Sequence, residues 1–250
     1  MPNSGGRKRK RKKSGLYRPL SFTIICAAMI FGMSVFFRVN HIDISGNKSY
    51  KADDVIGASG IELGDNLFFI NRQAATARAL KRLPYIETIQ IERRLPNRIV
   101  IKITESTALA YVKTEGSYLA LDHNAKVLGE IDGDEIKSLI SVEGIVPSDS
   151  DSGTTLKTDT EDSPKVTYLA SVLKAISVWE IEDDITYIDM SNISNPSFDY
   201  LERFTVRLGR NENIESKLGS LLSSVEQLEP DSKGTIDLSG GAEIHFNEDF

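Results

Sequence analysis

Cysteine is nearly absent: Cys26 stands alone among 250 residues, so no disulfide can form within the chain. It also lies in the most apolar run of the sequence, where a thiol resists ionisation and acts as a small hydrophobe, not a nucleophile. Histidine is scarce as well. His41, His123 and His245 are far apart, and none has a second ligand at zinc-site spacing. The acidic pair Asp183-Asp184 and the scattered Asp151, Asp159 and Asp162 lack the alternating carboxylates and closing glutamate of a calcium loop. No glycine-rich phosphate cradle follows a strand pattern. Neither a metal nor an organic cofactor is expected.

One region lacks acidic residues altogether. Residues 1–38 hold nine Lys/Arg and no Asp/Glu, while the remainder holds 21 basic against 36 acidic residues, giving +9 and −15. Long apolar runs are missing too, except for "LSFTIICAAMIFGMSVFF" at 20–37. As a helix this run is about 27 Å long, enough to cross a bilayer core of about 30 Å. Ahead of it stand Arg7, Lys8, Arg9, Lys10, Arg11, Lys12 and Lys13, with Arg18 closer in. Such a cluster holds its flank in the cytoplasm, which puts the rest of the chain outside. A cleaved signal would have a shorter apolar region and a small-x-small exit, whereas "VFFRVNHI" offers no such site. The acidic balance of the exterior disfavours nucleic acid as a partner.

After a basic tail (1–19) and the apolar helix (20–37), two folded units are expected. In residues 38–107, Ile42 and Ile44 mark a short strand and Gly46-Asn47 a turn. Ser49 is the expected cap of a helix over 51–58 that points Val55 and Ile56 inward, with Gly60 beyond its end. Leu67 and Phe68 are expected to plug the core. Asn71 caps a second helix, over 72–83, with Ala74, Ala77 and Leu80 inward. In "LPYIETIQIERRLPNRIVIKITE" the isoleucines 89, 91, 99, 101 and 103 alternate with polar residues, the mark of half-buried strands. Pro96-Asn97 suits the centre of a type I turn between them. The order strand, helix, helix, strand, strand lays two helices on one face of a three-stranded sheet.

Residues 108–250 read as a mixed, mostly antiparallel β domain with two helices, so the fold class is α+β. The polar, acidic segment 147–164 reads as a mobile loop that buries no core. A helix follows through Val166, Leu169, Val172, Leu173 and Ile176, then strands "ITYIDM" and "RFTVRLG". A second helix carries the stripe Ile214, Leu218, Leu221, Leu222, Val225 and Leu228. "GTIDLSGGAEIHF" reads as a closing hairpin. Its last strand, Ala242, Glu243, Ile244, His245 and Phe246, has no later chain to cover its outer side, so it is expected to form a sheet edge on which a partner adds a strand. The outward amide is expected at Glu243 or His245, while Ile244 and Phe246 also complete the core.

Two Ser-x-x-Lys patterns, Ser171 to Lys174 and Ser45 to Lys48, raise acyl-transfer chemistry, but no Lys-Thr-Gly strand accompanies either and both are short enough to arise by chance. No enzymatic activity is expected.

The motifs "VNHIDISGN", "GIELGDNLFFIN", "LPYIETIQIERRLPNRIVIKITE" and "ALAYV", in that order, resemble the POTRA module of the FtsQ/DivIB family of bacterial cell-division proteins. The likeness extends to the basic tail, the single span, "YLALDHNAKVL" and "GTIDLSGGAEIHF". It implies a non-enzymatic scaffold at the division septum that binds FtsB/DivIC-like and FtsL-like partners and, through them, bears on septal peptidoglycan synthases. Two positions differ from the family habit: Ala125 stands where glycine is frequent, with Asn124 expected to supply the left-handed residue, and Asp237-Leu238-Ser239 ends in serine where arginine is usual. A wall-active acyl transferase using Ser171 and Lys174, or a POTRA-bearing assembly factor, are the alternatives.

Overall fold

The computed structural model describes residues 17–148, 150–160, 162–240 and 245–248. The basic residues 7–13 and the strand residues Ala242, Glu243 and Ile244 therefore lie outside the described residues.

Helix α1 (Tyr17–Phe36) contains the window Pro19–Phe36, which is long and apolar enough to cross a membrane and has no buried share. The chain then enters a first unit: β1 (His41–Ser45), α2 (Ala52–Ser59), α3 (Arg72–Arg82), β2 (Ile86–Arg94) and β3 (Arg98–Glu105). The three strands order as β1-β3-β2, with β3 parallel to β1 and antiparallel to β2. Alternation fixes the buried face: Ile89, Ile91, Ile99, Ile101 and Ile103 all point into one core with Val39, Val55, Leu67, Ala75 and Ala79.

Several local expectations change. α2 is capped by Asp54, whose carboxylate accepts the Lys51 N–H at 3.2 Å, and not by Ser49. Ser49 is engaged elsewhere, its amide donating to Glu105 at 2.7 Å. Asn71 does cap α3, accepting from the Ala74 amide at 3.1 Å. The inward residues of α3 are Ala75 and Ala79, not Ala74 and Ala77. Leu67 is fully buried but Phe68 is 42% exposed, so only the first plugs the core. Register pairs Arg94 with Arg98, which leaves a three-residue connection, Leu95-Pro96-Asn97, with a cis Leu95–Pro96 peptide in place of the type I turn.

The β1–α2 turn is tied to the far end of β3. Position 46 requires glycine twice over: its φ is +87, and a Cβ there would lie 1.9 Å from the Ile103 carbonyl oxygen. The Glu105 carboxylate accepts the amides of Lys48, Ser49 and Tyr50 at 3.0, 2.7 and 3.3 Å. Partial burial pushes its pKa up, but these hydrogen bonds together outweigh that and hold it below the usual carboxylate value. A group with a lowered folded pKa stabilises above its unfolded value and loses that contribution as pH falls. Stability should therefore drop from about pH 4.5 downward. Glu105→Gln should cost about 1–2 kcal/mol at neutral pH, a modest loss because the carboxylate is half exposed, and should flatten the acid limb. Thermal melts between pH 3 and 7 check this; equal acid sensitivity in both proteins would contradict it.

The second unit is a nine-stranded sheet in the order β12-β11-β10-β9-β8-β7-β4-β5-β6. Its strands are β4 (Ala110–Lys113), β5 (Tyr118–Leu121), β6 (Val127–Ile131), β7 (Ile140–Glu143), β8 (Tyr187–Asp189), β9 (Ser197–Tyr200), β10 (Phe204–Arg207), β11 (Gly234–Asp237) and β12 (His245–Glu248). Three pairings, β4 with β7, β7 with β8 and β10 with β11, are parallel and the rest antiparallel. Helices α4 (Ser163–Trp179) and α5 (Ile214–Val225) bridge β7 to β8 and β10 to β11. Both crossovers advance across the sheet in the same direction, so right-handed connections lay both helices on one face. There they touch: Trp179 Nε1 donates to the Glu215 carbonyl at 2.9 Å, and its ring lies where a Cβ on Gly219 would be. The whole is an α+β fold.

Segment 147–164, expected to bury nothing, contributes Leu156 to the core at 4% exposure. Thr155 bridges to Lys126, and the Leu156 amide donates to the Ala125 carbonyl at 2.9 Å. The turn it meets is the "LDHNAK" stretch. Asp122, fully buried, accepts the Ser106 hydroxyl at 2.9 Å and the amides of Asn124 and Lys126 at 2.8 and 2.9 Å. Lys126 Nζ reaches across to the Ile86 carbonyl at 3.0 Å and so joins the two units. Ala125 itself carries the left-handed conformation, φ +55, not Asn124.

Candidate functional site

The last hairpin of the chain is built by close approach. Gly234 lets β11 pass β12 where a Cβ would sit 2.1 Å from the Asn247 carbonyl oxygen. Ile236 and Leu238 are buried, and the half-buried Phe246 meets the Phe204 ring edge-on at 6.1 Å between centroids. After β11 the Ser239 amide donates to Asp237 Oδ1 at 2.8 Å. Bonding from the Ser239 side chain, then from its amide, outweighs partial burial, and the charges of Arg207 and His245 add to it, so the Asp237 carboxyl stays below its ordinary value. Ser239 thus has a local role in the turn where arginine was the family habit.

Strand β12 is the terminal strand of the sheet among the described residues. The direction of its amides follows from the neighbouring pair. Gly234 N–H donates to the Arg203 carbonyl at 3.2 Å and Leu238 N–H to the Arg207 carbonyl at 2.8 Å. In a parallel pair each residue directs its main-chain groups to one side and its neighbours to the other, so Thr235 and Asp237 face β12. Their register partners Asn247 and His245 face back. Phe246 and Glu248 consequently turn their amides and carbonyls to the open side. The expectation that His245 presents the outward amide is corrected: its amide lies inside the ladder, while its side chain is exposed. Ala242, Glu243 and Ile244 lie outside the described residues.

The serine-lysine pattern has a different setting. Ser171 Oγ donates to the Thr167 carbonyl of its own helix at 3.1 Å. Lys174 is exposed; the two side chains share a shallow cleft with Asn211, Asn213 and Glu215, but no hydrogen bond joins them. Among the described residues no group of three or more His, Cys, Asp or Glu is placed to hold a metal ion. His41, His123 and His245 are dispersed, and His123 Nε2 lies 3.4 Å from Glu87 Oε1 at the junction of the two units.

Sequence reasoning missed Lys217. It is 7% exposed, and its ammonium donates to the carbonyls of Leu208 and Arg210 at 2.6 and 2.9 Å. Burial pushes its pKa down, while Glu212 and Asp237 push it back up. Its place in the stripe Ile214, Lys217, Leu218, Leu221 was the available clue, since an inward helical position held by lysine calls for carbonyl partners.

A family model described as "POTRA domain, FtsQ-type" matches residues 37–106. "Cell division protein DivIB" of Clostridium tetani is 27% identical over 207 residues, 82% of this chain and 77% of that protein. The protein of the same name from Clostridium botulinum is 26% identical over 235 residues, 93% of this chain and 90% of its own length. "Cell division protein FtsQ" of Streptomyces collinus is 30% identical over 97 residues, 39% of this chain and 36% of that protein. These relatives support a role in the division machinery. With an FtsQ-type POTRA domain over residues 37–106, the chain is similar over most of its length to cell-division proteins named DivIB and over a shorter stretch to one named FtsQ.

Proposed function

We propose that the chain is a non-enzymatic, membrane-anchored scaffold of the bacterial division machinery whose β12 edge takes up a strand from a division partner. The observation that carries this reading is the terminal position of β12, with the main-chain groups of Phe246 and Glu248 directed outward. Strand addition draws affinity from main-chain hydrogen bonds and selectivity from alternate side chains. Phe246, half buried against Phe204, holds the strand in place, and the exposed His245 and Glu248 flank the added strand.

By resemblance the partners are FtsB/DivIC-like and FtsL-like proteins, and the assembly helps control septal peptidoglycan synthesis. α1 is the anchor, with the basic tail cytoplasmic and the folded units outside. The Ser171 hydroxyl, committed to its own helix, supports a scaffold over an acyl transferase.

Affinity purification of the full chain from solubilised membranes, followed by mass spectrometry, should recover small coiled-coil proteins of these two kinds. Their absence alongside abundant bait would contradict the reading. The topology makes a separate prediction: protease added to intact protoplasts should digest residues 39–250 and spare the basic tail. Protection of the large folded part would reverse the orientation.

A further inference from the structure

The connection between α2 and α3 holds apolar side chains that the core does not use. Leu63 is 68%, Phe68 42% and Phe69 80% exposed, the last a large aromatic almost wholly free of the protein. This loop is fastened to the end of α1. Asn66 Nδ2 donates to the carbonyls of Met33 and Ser34 at 3.1 and 3.3 Å, within the last helical turn. The Leu67 amide donates to the Phe37 carbonyl at 2.9 Å, and Val39 exchanges hydrogen bonds with Asp65 and Gly64, both at 2.8 Å. Leu67 is fully buried, so the loop is pinned from the core side as well. The Phe68 ring meets Phe37 edge-on at 5.0 Å, and Phe37 meets Phe36 at 5.2 Å. Ring contacts thus run from the last turn of α1 to Phe68, and the exposed Phe69 follows it in the same loop.

We infer that Phe68 and Phe69 insert into the bilayer interface on the side of the folded units, so that the POTRA domain rests on the membrane through this loop as well as through α1. The inference rests on the reading of α1 as a membrane span. If the Pro19–Phe36 window fills the hydrocarbon core, its outer turn lies at the boundary with the headgroups, and Asn66 is bonded to that turn. Aromatic side chains favour this layer, and apolar area placed there is removed from water. The loop's own charges, Glu62 and Asp65, are acidic, while Arg38 bridges to Asn66 and Arg93 donates to the Ile70 carbonyl at 2.7 Å, so charges of both signs flank the aromatics. The insertion itself is that of the apolar rings. It fixes the POTRA domain against rotation about the end of α1.

The test uses the full chain in a Cys26→Ala background, reconstituted into phosphatidylcholine vesicles, with a polarity-sensitive fluorophore on Phe69→Cys and separately on Phe68→Cys. Ile25→Cys, in the middle of α1, reports the span, and Glu115→Cys, in the β4–β5 turn, reports the aqueous surface. The Phe69 site should show blue-shifted emission, lose most of its intensity to lipids carrying a nitroxide near the headgroup, and resist aqueous iodide. If the Phe69 and Phe68 sites match Glu115 in iodide quenching while Ile25 is quenched by lipid carrying a nitroxide deep in its acyl chain, the span stands and the insertion is overturned. If Ile25 is not quenched by that deep nitroxide lipid, the span itself fails and this inference fails with it.

Discussion

Ile101→Asp is expected to unfold the first unit while leaving the second intact. Ile101 is fully buried on β3, the central strand, between Ile44 of β1 and Ile91 of β2. Its neighbours in the core cluster are all apolar, so an introduced carboxylate would have no partner. An unpaired buried charge costs several kcal/mol, a large part of the roughly 5–15 kcal/mol that stabilises a whole domain. Thr104→Asp, three residues on and exposed, should change stability by no more than about 0.5 kcal/mol. Hydrogen exchange followed by mass spectrometry separates the two units: Ile101→Asp should lose protection over 41–105 and keep it over 110–238. Retained protection in β2 and β3 would show that the isoleucine face has been misassigned.

The second large effect concerns binding. Glu248→Pro removes an outward-facing main-chain donor at a position whose side chain is exposed, a substitution that edge strands tolerate. Melting should hold to within about 1 kcal/mol because no ladder bond to β11 is lost. Partner capture should fall by about tenfold or more, from the loss of one main-chain hydrogen bond and the bulk of the ring against an added strand. Glu248→Ala, which keeps the amide, should bind as the parent does. Equal capture by a folded Glu248→Pro protein would exclude this edge.

The parts of the fold that were legible in the sequence share a physical trait. The hairpin isoleucines alternate without interruption, and a period of two admits only one buried face. Asn71 and Gly60 mark helix ends because their side chain, or its absence, serves a specific backbone need. Where the reading failed, that constraint was missing. α3 carries Ala74, Ala75, Ala77 and Ala79, and such small side chains define a face too weakly to distinguish rotations of one position. β7 and β9 are four residues each, too short for alternation to stand out. Leu156 is a single apolar residue in a polar segment, and its burial follows from pairing with the Ala125–Lys126 turn, a contact no local pattern encodes. At the candidate site, β11 was legible from Ile236 and Leu238, while of the strand expected over 242–246 only His245 and Phe246 are described, within β12 (His245–Glu248). The direction of the β12 amides was not legible, since that is set by the parallel pairing of β10 with β11, strands separated by a whole helix.

The most direct test of the edge as a docking site is photo-crosslinking in living cells. A photoreactive amino acid at Asn247, whose side chain is exposed and whose amide stays within the ladder, should form an adduct with an FtsB/DivIC-like partner. The same residue at Val178, half exposed on α4, should not. Adducts with that partner at Val178 and none at Asn247, in cells where both proteins are incorporated at the septum, would contradict the account.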